Sequence, residues 1–103
     1  MKNPKTAVIV VSKLNLDLAV LVLKKIENCQ IHGLNIIDAK VDVSFKNLAK
    51  HIQLLQKEKT NIIAICSIPI IIRSLEGKLP KKHNGSCIVA LSPDGKYTIP
   101  LLD

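Results

Sequence analysis

Three continuous aliphatic runs, Thr6–Val11, Asn61–Cys66 and Ser86–Leu91, constrain this chain more than any other feature. None shows the alternation of a half-exposed strand, so each reads as a strand covered on both faces. Helical patterns separate them. Leu16 to Glu27 carries apolar residues around most of its axis and predicts a deeply buried helix, with Lys24 and Lys25 suiting its C-terminal turn. Strand–helix alternation repeats three times and ends in a hairpin. The expectation is an α/β three-layer sandwich. Its sheet should be mostly parallel and four- to five-stranded, with a C-terminal hairpin strand, in one domain over residues 1–103.

The remaining elements follow from local chemistry. Ser12 to Asn15 is a polar turn, Gly33 allows a change of direction, and Leu34 to Ile37 reads as a short second strand. Ser44 is a good N-cap for a helix over Phe45 to Lys57, whose apolar face is Phe45, Leu48, Ala49, Ile52 and Leu55. Ser67 and Pro69 mark another helix start, continuing through Ile70 to Glu76 and closed by Gly77. Lys78 to Gly85 is a basic loop, and Ser92-Pro93-Asp94-Gly95 turns the chain into a short strand over Lys96 to Ile99. In such sheets ligands sit outside the carboxyl ends of the strands, here Ser12-Lys13, Asp38–Lys40, Ser67-Ile68 and Ser92.

Composition narrows the function classes. The longest apolar stretch, Ile62 to Ile72, is broken by Ser67 and Pro69 and falls short of the roughly 20 residues that span a bilayer. Thr6 to Val11 is too short for a secretory signal, and three cysteines without a CxxC pair fit a cytoplasm with reduced thiols. No zinc spacing appears among the three cysteines and three histidines. The absence of glycines after the first strand argues against a dinucleotide or nucleoside triphosphate. Fifteen Lys+Arg against eight Asp+Glu leave +7, which fits either an anionic partner or solubility alone. Nucleic acid is the weakest of the anionic partners, because base stacking needs aromatics and only Phe45 and Tyr97 are present.

Candidate site residues are few. Ser67, between a buried strand and a helix, either offers its hydroxyl and nearby N–H groups to an anion or simply caps the helix. Arg73, the only arginine, either grips a carboxylate bidentately or pairs internally with Glu76. His83 is a loop histidine that titrates near neutrality, whereas His32 and His51 show no partner in the sequence. Asp38 and Asp42 lie near a strand end, but two carboxylates in a loop are weak evidence for acid–base catalysis; Cys66 and Cys87 read as small core residues.

From Asn61 onward the chain resembles a known family. The run Asn61 to Arg73, a basic loop, and Cys87 to Leu102 are similar to the N-terminal domain of the cobalamin-biosynthesis protein CbiG, the cobalt-precorrin-5A hydrolase family. Arg73, Gly95, Lys96, Tyr97, Ile99, Pro100, Leu101 and Leu102 fall in register with its pattern. Two departures stand out. The family's Thr-Gly pair falls on Ile68-Pro69, and the chain stops at Asp103, where Ser-Gly-His, a linker and a C-terminal domain would follow.

The resemblance implies a cytoplasmic role in cobalamin biosynthesis on an anionic cobalt corrinoid, opening a lactone on the macrocycle with release of acetaldehyde. The cobalt arrives with the substrate, and no cofactor or metal is held by the protein. The implied substrate-binding residues are Ser67, Arg73 and Lys96, with catalytic residues unassigned. The departures leave a split or degenerate subunit as the other form of this reading. Its expected partners are a chain carrying the missing segment or a second copy meeting the sheet edge at Tyr97 to Leu102. The competing reading is a non-catalytic α/β domain for interaction or anionic-ligand binding.

Overall fold

The computed structural model describes residues 5–37, 41–75 and 87–102. Six strands form one sheet: β1 (Thr6–Val10), β2 (Cys29–Leu34), β3 (Val43–Phe45), β4 (Asn61–Ile65), β5 (Ile88–Leu91) and β6 (Thr98–Leu102). Their spatial order is β3-β2-β1-β4-β5-β6, with every neighbouring pair parallel except the antiparallel β5–β6. Among the described residues three α-helices complete the fold: α1 (Leu16–Lys25), α2 (Leu48–Lys57) and α3 (Ile68–Leu75). The α/β three-layer arrangement and the antiparallel C-terminal strand agree with expectation. The strand count does not, because β3 lies where Ser44 was expected to cap a helix.

The aliphatic runs do what their composition demands. All five residues of β1 are buried, because it is a central strand with a helical layer on each side. Its alternate residues feed two cores. Ala7 and Ile9 pack with Ile52, Leu55, Ile62, Ala64 and Ile71 beneath α2 and α3. Val8 and Val10 pack with Ala19, Ile31 and Ile65 beneath α1.

Cap chemistry explains the shifted boundaries. Asn47, not Ser44, caps α2: its side-chain oxygen accepts a hydrogen bond from the Lys50 amide at 3.0 Å. Lys59 then ends that helix in the left-handed region (φ 58), where its neighbour's amide, Thr60 N–H, donates to the Leu55 carbonyl at 2.9 Å. β2 starts at Cys29 rather than Leu34, so Gly33 sits inside a strand and not at a bend. Its role is close approach, since a Cβ there would lie 2.8 Å from Val41 Cγ1. α1 also departs from expectation: Ala19 is its one buried residue, while Val20 and Leu21 are 41% and 53% exposed. It covers one side of a sheet wider than itself. Gly77, Glu76 and the basic loop carrying His83 lie outside the described residues, as do Asp38–Lys40.

Candidate functional site

The candidate site is the carboxyl edge of the parallel strands. β1 and β4 are neighbours in register, Val10 beside Ile65, but the chain leaves them in opposite directions. After β1 it rises into α1 on one face; after β4 it enters α3 on the other. In open α/β sheets such a divergence is where ligands bind, in a crevice outside the strand ends, and here Ser12 and Ser67 stand at its two lips.

Each lip is built by its own sequence. Ser12 caps a 3-10 turn over Lys13–Asn15, its hydroxyl oxygen accepting from the Leu14 amide at 3.3 Å. Ser67 is exposed, and its backbone carbonyl accepts the first bonds of α3 from Ile70 at 3.1 Å and Ile71 at 3.3 Å. Pro69 falls within the first turn of α3, where a missing N–H costs nothing. Among the described residues the Ser67 hydroxyl has no hydrogen-bond partner.

A third wall comes from the tight connection between β5 and β6. Asp94 organises it, its carboxylate accepting from the Ser92 hydroxyl at 2.6 Å and the Lys96 amide at 3.0 Å. The same Ser92 oxygen accepts from the Tyr97 amide at 3.0 Å. These bonds, the Ser92 hydroxyl foremost, hold the Asp94 carboxyl below its ordinary range. Gly95 adopts φ +75 and backs onto Leu18 at the start of α1, while the Asn15 side-chain amide donates to the Pro93 carbonyl at 3.5 Å. The turn is therefore fastened to the loop after β1, and Lys96 stands exposed upon it.

Of the three residues singled out in the sequence, Ser67 and Lys96 share this edge. Arg73 is lower. It follows buried Ile71 by two residues, about 200° around the helix, so it stands on the outward, exposed side of α3. Among the described residues it makes no ion pair; Glu76, its expected partner, lies outside them.

The arrangement of the other polar candidates corrects two expectations. Asp42 is a backbone clamp: its carboxylate accepts from the Ile31 amide at 2.8 Å, and its own amide donates to the Ile31 carbonyl at 3.0 Å. His32 and His51 are each other's partner, with Nδ1 of one 2.8 Å from Nε2 of the other. Phe45 stacks on His51 with ring centroids 4.5 Å apart. Burial, then the neighbouring His51 ring, lowers the His32 pKa to about 4, and burial lowers that of His51 too. Nothing in the sequence spacing links a strand histidine to a helix histidine; only the packing of α2 over β2 joins them.

The cysteines behave as core or strand residues. Burial pushes the Cys66 thiol up, and burial reinforced by Asp42 does the same for Cys29. Cys87 donates its thiol to the Asn61 side-chain oxygen at 3.4 Å. Among the described residues no group of three His, Cys, Asp or Glu side chains is placed to hold a metal, and no helix is long and apolar enough to cross a membrane.

Comparison with known proteins gives one match. Residues 50–103, just over half of the chain, match the family described as cobalamin synthesis G N-terminal. That span includes most of α2, the whole of β4, α3, β5 and β6, and therefore the Ser67 lip, Arg73 and the Lys96 turn. No curated protein and no solved structure matches. With the match running through one lip of the crevice and its third wall, the chain belongs to the cobalamin synthesis G N-terminal family and has a role in cobalamin biosynthesis.

Proposed function

We propose that the crevice between Ser12 and Ser67 receives the acidic periphery of a cobalt corrinoid during cobalamin assembly. The observation that carries this reading is the divergence of β1 and β4 at Val10 and Ile65, which leaves a hydroxyl and a fastened cationic turn at one edge. A corrinoid intermediate carries several carboxylates around a flat macrocycle. Ser67 would donate a hydrogen bond to one of them, and Lys96 would neutralise another as a mobile point charge. Arg73, on the flank of α3, would meet a carboxylate reaching over the helix. The chain's +7 charge raises the rate of encounter with such a ligand.

The reaction proposed is lactone opening with loss of acetaldehyde, either by this chain or by an assembly in which it is one subunit. In the subunit form the Ser67 hydroxyl, which has no hydrogen-bond partner among the described residues, binds substrate and does not act as a nucleophile. On that reading this chain supplies substrate grip and a second polypeptide supplies proton transfer. A purely non-catalytic anion-binding domain would use the same crevice.

Titration with a cobalt corrinoid polycarboxylic acid, followed by its visible absorption, tests the reading. Lys96→Ala and Ser67→Ala are each expected to weaken binding by about three- to tenfold, as loss of one exposed charge or hydrogen bond would. Unchanged affinity in Arg73→Ala would remove that residue from the site. Unchanged affinity in all three variants would sink the crevice as the binding place.

A further inference from the structure

The crevice leaves unexplained a second concavity on the α1 side of the sheet, with a volume of about 480 Å³. Its walls are Leu18, Leu21 and Val22 of α1 and Ile63, Val89 and Leu91 of β4 and β5, with Lys25 at the rim. Strands of this kind are normally covered on both faces. On the opposite face two helices cover the sheet; on this face, among the described residues, α1 covers it alone. We infer that the missing layer is the α1 helix of a second copy of this chain, packed antiparallel about a twofold axis.

The surface is self-complementary, which an isologous pair requires. Within α1, Leu18, Leu21 and Lys25 are spaced by three and four residues, the seam spacing of two helices packed lengthwise. Leu21 is 53% exposed, so the helix that walls the groove also carries an apolar side chain to insert into another, and Leu14, in the 3-10 turn just before it, is 90% exposed. Charge complementarity sets the direction. Exposed Asp17 lies in the first turn of α1 and Lys25 in its last. An antiparallel copy brings Asp17 of each chain toward Lys25 of the other, twice over, whereas a parallel copy sets like against like. A small ligand fits less well, since Lys25 and Thr98 are the polar side chains of the lining and such sites usually hold several convergent polar groups.

Sedimentation equilibrium over about 1–300 μM reads the proposal directly, a range that brackets micromolar pairing. The unaltered chain is expected to dimerise. Leu21→Glu should give a monomer with unchanged circular dichroism, because that side chain is half exposed within one copy. Asp17→Lys and Lys25→Asp should each weaken pairing by about fivefold or more, and the double variant D17K/K25D should recover most of it. Recovery is the decisive result, because it requires the two positions to meet across a twofold. A monomer at every concentration, a dimer indifferent to Leu21→Glu, or a double variant no better than either single one would each overturn the inference. So would a monomer whose groove takes up a hydrophobic dye that Leu21→Glu displaces, which would assign the groove to a small apolar ligand.

Discussion

The two faces of the sheet are built to different standards of closure. Under α2 and α3, Ile9, Ile52, Ile62, Ile71 and Ile88 are at most 1% exposed, and the face is sealed. Under α1, Val8, Val10 and Ile65 are equally buried near the helix, but Ile63, Val89 and Leu91 farther along the same face are only partly buried. The same alternating strands supply both surfaces. Apolar character in a strand therefore records that both faces are meant to be covered, and it is silent about which molecule does the covering.

Substitutions distinguish the faces by size of effect. Ile71→Ala, on the sealed face, should cost about 3–4 kcal/mol in urea denaturation, whereas Leu21→Ala, measured where the chain is monomeric, should change stability by less than about 0.5 kcal/mol. Similar losses at the two positions would abolish the contrast.

Acid should attack the sealed face first. His32 titrates near 4 when folded against 6.5 when unfolded, so between those values the unfolded chain binds more protons. Stability should be full above about pH 6.5 and fall as pH drops toward 4, following the linkage between pKa and folding. Denaturation midpoints measured across that window check it, and His32→Leu should flatten the dependence whatever its absolute stability. A wild-type curve that is already flat would show that the pair carries no such penalty.

On the α1 side, Gly33→Ala should cost about 1–2 kcal/mol, because its methyl group meets Val41 at 2.8 Å and the neighbour must move. A smaller gain lies at the C-terminal end of α2. Lys59→Gly should raise stability by about 0.5–1 kcal/mol by relieving a left-handed backbone at φ 58. A loss there would mean that the lysine side chain contributes more than its backbone strain costs.

Much of this fold is legible in the chain because β1, β4 and β5 are written as uninterrupted aliphatic runs. β2 was harder to place: its Gln30, His32 and Gly33 break the apolar signal although the strand is well paired. β3 is three residues long, and both Ser44 and Asn47 have cap chemistry, so only tertiary pairing with β2 decides between them. At the edge, the sequence places Ser67 between a strand and a helix start, whereas Lys96 is marked only by the family resemblance and its charge. Ser12 took on significance only once β1 and β4 were neighbours, and the histidine pair only once α2 lay over β2.

Pro100 has a consequence for how this protein can polymerise. It occupies β6, the outermost strand, opposite Val89. Proline in a rim strand leaves one rung without a donor, so an incoming backbone would find an interrupted ladder. At the far side β3 offers three residues, too short a template for sustained zipping. Fibril growth by lateral recruitment is thereby discouraged from both ends of the sheet, and growth in number of subunits is left to side chains rather than to peptide groups.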